Sequence, residues 1–135
     1  MTSNQPTYID DRYPLSALTS RIIAAAKEVH RVLGPGFREV IYQRALELEF
    51  PTHDLDCSRE VWINIHFRGH AIGKTRVDFI IGDDRDSVML EVKAKGSLED
   101  CDIIQAVSYL KASGHKIGLL INFGAKQLEI RRLAN

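Results

Sequence analysis

The chain has 135 residues, 44% of them hydrophobic and 27% charged, which fits one folded α/β domain with its own core and excludes a disordered or fibrous chain. Its 18 Lys and Arg balance 18 Asp and Glu, so no global positive field draws in nucleic acid, and any such contact must come from a local basic patch. No apolar run reaches the ~20 residues of a membrane span, the N-terminus is polar, and Cys57 and Cys101 form no C-x-x-C pair; a cytoplasmic protein with no membrane contact, disulfide framework or thiolate zinc site is expected.

Residues 1–14 are polar and lack an apolar period, so they are expected to form a flexible arm, with Tyr8 and Tyr13 as its docking points. Residues 15–135 are expected to form the single domain. Leu18, Ile22, Ala26, Val29 and Leu33 recur at spacings of three and four, one stripe of an amphipathic helix, and Gly34-Pro35-Gly36 ends it. A second helix is predicted over residues 37–50. In it Glu39 precedes Leu46 by seven residues and Phe50 by eleven, which puts it on an apolar stripe where a metal, a lysine or a helix N-terminus would offset its charge.

Val61, Ile63, Ile65 and Phe67 alternate with Glu60, Trp62, Asn64 and His66, the period of a strand. A turn at residues 68–70 leads to a second strand ending at Ile81, and a polar turn at 82–86 leads to a third over residues 87–93. Residues 98–112 have helical spacing, with Glu99, Asp100 and Asp102 placed where a helix dipole favours negative charge. Residues 117–121 read as a strand covered on both faces, and residues 126–133 as an edge strand. The predicted order is α-α-β-β-β-α-β-β.

The period of two puts Glu91 and Lys93 on one face of the third strand, near Asp78 of the second. Two carboxylates brought together repel unless a cation lies between them, and such hard oxygen ligands suit Mg²⁺ or Mn²⁺. A lysine beside that ion can orient water and stabilise the charge of a phosphoryl-transfer transition state. By itself the D…E-x-K pattern also fits two carboxylates facing solvent on a hairpin. Gln105 and Tyr109 lie one turn apart on the third helix, the first suited to hold water or phosphate and the second to stack on a base. Arg68, Lys74, Arg76, Lys95 and Lys111 are candidate phosphate contacts, and each alone is also an ordinary surface cation. Trp62 reads as a core or interface aromatic, Glu60 as a strand-face carboxylate, and His53, His66, His70 and His115 lack zinc-ligand spacing.

Gly36, Glu39 and Tyr42, with Arg76-Val77-Asp78, Leu90-Glu91-Val92-Lys93-Ala94, Gln105 to Leu110 and the run from Gly118 to Gly124, make residues 18–133 resemble the GxxExxY family, a branch of the PD-(D/E)XK nuclease-like superfamily. The resemblance implies a restriction-endonuclease-like core, a mixed four- to five-stranded sheet flanked by helices. It makes Asp78, Glu91 and the Val92 carbonyl metal ligands, completed by Glu39, with Lys93 as base or charge stabiliser and Gln105 in the catalytic set. Tyr42, Arg76, Lys95 and Tyr109 would face the substrate, and Gln105 with Tyr109 is similar to the Q-x-x-x-Y element of RecB-like nucleases. Val77 stands where many members have proline. The function so implied is a Mg²⁺- or Mn²⁺-dependent phosphodiesterase acting on nucleic acid, DNA in particular, through metal-activated water. The alternative is a catalytically silent adaptor that binds nucleic acid or a protein. A helicase, another protein partner or a homodimer would add the grip that a neutral chain lacks.

Overall fold

A computed structural model describes residues 14–135. The arm expected over residues 1–14, with Tyr8 and Tyr13, lies outside the described residues except for Pro14. Helix α1 spans Ser16–Leu33 and α2 spans Glu39–Glu49, followed by a 3₁₀ turn over Phe50–His53. Strands β1 (Cys57–Phe67), β2 (His70–Gly82) and β3 (Ser87–Lys93) precede helix α3 (Asp100–Ser113), and β4 (Ile117–Asn122) and β5 (Glu129–Ala134) close the order. The five strands lie side by side in chain order. All neighbours are antiparallel except β3 and β4, which are parallel and therefore need α3 as their crossover.

The helix α1 buries Leu18, Ile22, Ala25, Ala26 and Val29, the stripe its spacing predicts, and Gly34 ends it at φ 67°, a left-handed value that suits glycine. These side chains join Tyr42, Leu46 and Phe50 over one face of the sheet, against Phe79, Ile81, Leu90, Val92, Leu119 and Ile121. On the other face Ala106 and Leu110 of α3 cover Val77, Met89 and Leu120. With helices on both sides, all six residues of β4 are buried, as its unbroken apolar run implies. Each large apolar chain removed from water contributes about 1.5–3 kcal/mol to this sandwich. The architecture is a restriction-endonuclease-like α/β fold with a five-stranded mixed sheet.

Two predicted boundaries are corrected. The second helix begins at Glu39 rather than residue 37, because the Phe37 N–H is used by the Tyr42 hydroxyl, 3.2 Å away. The third begins at Asp100, where Glu99 caps it and the Asp102 carboxylate accepts the Glu99 N–H at 2.9 Å.

The alternation expected over residues 60–67 holds as far as Ile65, but β1 starts earlier, at Cys57, and its first residues are out of phase with the rest. Cys57 packs toward the α1–α2 core, whereas Val61 and Ile63 pack toward α3, although a strict period of two would keep all three on one face. Glu60, at φ 56°, lies between them and resets the phase. Across the hairpin the same change separates Val77, which faces α3, from Phe79, which faces α1 and α2. The residue at that crossing point on β2 is Asp78.

Candidate active site

The ladder between β2 and β3 runs only from the Gly82–Ser87 pair to the Phe79–Leu90 pair. Beyond it side chains replace the missing main-chain bonds. The Asp78 N–H donates to Glu91 Oε1 at 2.9 Å, and the Val92 N–H donates to Asp78 Oδ2 at 2.7 Å. Each acid is thus fixed by the other strand's backbone. The N–H and C=O of one strand residue point the same way, so the Val92 carbonyl faces this same opening.

Glu91 is only 5% exposed. Burial, and then the charge of Asp78, push its carboxyl up to about 8, against the restraining effects of the Asp78 N–H and of Lys93. Asp78 is also raised, first by burial and further by the charge of Glu39, while the Val92 N–H, Lys93 and Arg59 pull it down. The Lys93 ammonium donates to Gln105 Oε1 at 3.1 Å, which ties β3 to α3. The structure therefore brings Asp78, Glu91, Val92, Lys93 and Gln105 together.

Glu39 is corrected in part. It is exposed, not set in an apolar environment, because the stripe that buries Leu46 and Phe50 runs off the sheet at the first turn of α2. Its charge still reaches both Asp78 and Glu91. The three acids do not gather as a tight cage, however. Among the described residues, the group of three ligand side chains whose atoms all lie within 4.8 Å of one another is Glu99, Cys101 and Asp102. That cluster already holds a cation, the Lys95 ammonium, at 3.2 Å from Glu99 and 2.8 Å from Asp102.

Lys95 is accordingly corrected as a substrate contact: its charge is committed to the first turn of α3. Tyr42 is corrected too. It is fully buried, its ring stacks on Phe123 with centroids 4.9 Å apart, and its hydroxyl donates to the Gly34 carbonyl at 2.6 Å. The tyrosine holds the turn before α2 and has no surface for a substrate. Arg76 is exposed, 3.5 Å from Glu60. Tyr109 is half-buried against the α3-side core.

Sequence reasoning missed Arg59, Gln43 and Asn122. The Arg59 guanidinium, whose charge acts on Asp78, donates to Gln43 Oε1 at 3.0 and 3.3 Å. Gln43 is three residues before Leu46 and seven before Phe50, and a polar residue on that stripe was the available signal. The fully buried Asn122 accepts the Lys95 and Gly124 N–H groups at 3.0 and 3.1 Å, and donates to the Lys95 carbonyl at 2.9 Å and to Glu129 at 2.7 Å. It anchors the segment that follows Lys93 to the end of β4.

A family model described as the PD-(D/E)XK nuclease superfamily matches residues 16–133. The chain belongs to this superfamily, whose nucleases are generally dependent on a divalent metal. Among solved structures it is similar to one titled "Crystal structure of SSO0001", with a TM-score of 0.55 and 19% identity over 90% of this chain. The match spans 57% of that longer chain and establishes likeness of fold. Comparison with curated proteins returns no match. The comparisons support neither a helicase partner nor a dimer. No helix among the described residues is long and apolar enough to cross a membrane.

Proposed function

We propose that the chain is a divalent-metal-dependent phosphodiesterase of the GxxExxY type that acts on nucleic acid, with DNA as the first substrate to test. The observation that carries this reading is the pair of buried Glu91 and half-buried Asp78, set where β2 and β3 part and flanked by Lys93. The donor set fits a hard cation. Glu91, whose carboxyl is raised by burial and by the charge of Asp78, is stabilised in its ionised form by an intervening positive charge, and the Val92 carbonyl adds a neutral oxygen on the same side. Asp78, Glu91 and Val92 would hold Mg²⁺ or Mn²⁺, with Glu39 reaching it from the first turn of α2. Such an ion supplies charge neutralisation at the phosphate and eases deprotonation of water.

The chain's own groups do the rest. Lys93, held by Gln105, keeps an ammonium beside the carboxylates, where it stabilises negative charge that develops on the phosphate. The backbone N–H groups of Asp78 and Val92 fix the carboxylate rotamers, which limits reorganisation during the reaction. Arg59 balances part of the acidic charge from the α2 side.

The test is cleavage of labelled single- and double-stranded DNA and RNA in Mg²⁺, Mn²⁺ or EDTA. Cleavage by the wild type that requires the metal, and a loss of at least about a hundredfold in Asp78→Asn and Lys93→Ala, is the expected result. Equal cleavage by wild type and both variants would assign the activity to a contaminant. Binding of Mn²⁺ without any cleavage would favour the silent adaptor.

A further inference from the structure

The distal part of the β1–β2 hairpin, residues 61–77, carries Arg68, Lys74 and Arg76 and no aspartate or glutamate, within a chain whose net charge is zero. Its face away from α3 presents Trp62, with Arg76 as its direct cross-strand partner and Lys74 diagonally next to it. The Lys74 ammonium and the Arg76 guanidinium stand 4.8 and 5.2 Å from the centre of the Trp62 ring, which is 56% exposed. A large aromatic left in water on the outer face of a sheet is not explained by the core, which lies on the opposite side.

We propose that this face is a platform for single-stranded nucleic acid, with an unpaired base on Trp62 and the flanking phosphates on Lys74 and Arg76. Three observations select that occupant. Exposed aromatics with adjacent cations satisfy the two chemistries of a single strand, base faces and phosphates, whereas a duplex hides its base faces in the stack. Lys74 has no carboxylate within salt-bridge distance among the described residues, so its charge is available to phosphate. Finally, Arg76 precedes Asp78 by two residues, and its ion-pair partner Glu60 lies at the bend opposite Asp78. A strand bound along the platform therefore ends at the proposed site. The inference deepens the nuclease reading and rests on it for the direction of the bound strand.

Trp62 is the chain's one tryptophan and reports on its own contact. A 15-nucleotide oligothymidylate and its duplex with oligoadenylate are titrated separately into the full chain in EDTA, with tryptophan fluorescence and anisotropy of the labelled oligonucleotide as readouts. The platform is supported by saturable quenching with the single strand, several-fold weaker binding of the duplex, a roughly tenfold loss in Trp62→Ala and recovery in Trp62→Phe. The Lys74→Gln variant should weaken binding and lower the salt slope by about 0.7, the share of one phosphate on a single strand. Unchanged fluorescence in a protein that nonetheless cleaves nucleic acid overturns the platform and leaves the nuclease reading standing. Quenching without metal-dependent cleavage supports the platform and removes the nuclease. Equal affinity for duplex, or a concentration-dependent dimer in sedimentation that buries Trp62, overturns it in favour of another occupant.

Discussion

Glu91 gives up nearly all contact with water to stand beside a second carboxylate, and this makes its proton part of the stability of the metal-free protein. In the unfolded chain the group ionises near 4.5, and in the fold it holds its proton up to about 8. Between those values the native state binds a proton that the unfolded state has released. Stability is therefore highest at the acid end of this window and falls as pH rises through it, by at most about 1.4 kcal/mol per pH unit. Asp78, raised for the same cause, acts in the same direction. Urea titrations in EDTA from pH 5 to 8 should show this decline, and Glu91→Gln should flatten it; an unchanged slope in the variant would assign the decline to other groups. Tyr42 makes the opposite case, of a motif residue whose work is structural. Removing its hydroxyl in Tyr42→Phe leaves the Gly34 carbonyl and the Phe37 N–H without this partner, a loss of about 1–3 kcal/mol in unfolding free energy. Cleavage by the folded variant should stay within about twofold, and a large loss of activity at unchanged stability would restore Tyr42 as a substrate contact.

At the scale of elements, the period of the apolar residues made both faces of the sheet readable. Leu18, Ile22 and Val29 are buried as their spacing predicts, and the unbroken run of β4 is buried on both sides. The proximity of Asp78, Glu91 and Lys93 was readable for the same reason, since successive residues of β3 turn to opposite faces, Val88, Leu90 and Val92 to one core and Met89 to the other. What failed depended on backbone conformations and on where elements end. Nothing in an alternating pattern signals that Glu60 takes φ 56° and switches the hairpin from one core to the other. Glu39 lies on the predicted stripe, yet the stripe outlasts the sheet beneath it, and exposure follows. Lys95 looked like a site cation until the fold placed it on Glu99 and Asp102. A tight joint between β4 and the segment after β3 is at Gly124. A methyl group there would meet the Lys95 N and O at 2.2 and 2.5 Å, main-chain atoms that cannot swing aside. Gly124→Ala must push away the segment that follows Lys93, so it should destabilise the protein by at least about 1–3 kcal/mol and reduce cleavage in the fraction that stays folded. Wild-type melting and activity in this variant would show that the segment is freer than the Asn122 contacts imply.

Over the whole molecule, two cores hold the sheet from opposite sides, and the proposed site opens where β2 and β3 separate. An ion bound there would link β2 to β3 across the gap, and its binding would be read as stability of the entire fold. At a free concentration a hundred times its dissociation constant, such an ion adds about 2.7 kcal/mol. For a domain of this size that raises the melting temperature by roughly 10 °C. The sign of the pH dependence is fixed by the carboxylates. They must be ionised to act as ligands, and in the metal-free fold both resist ionisation, so the ion competes with protons at this site. Its stabilisation should consequently grow from pH 6 to pH 8, the range over which the metal-free protein itself weakens. Melting curves with 5 mM Mn²⁺ or with EDTA across that range test the linkage. The wild type should show a widening gap between the two conditions, and Asp78→Asn should show none. A gap of constant size, or one that survives in Asp78→Asn, would place the ion elsewhere on the protein. The pair would then lose its role as the metal centre.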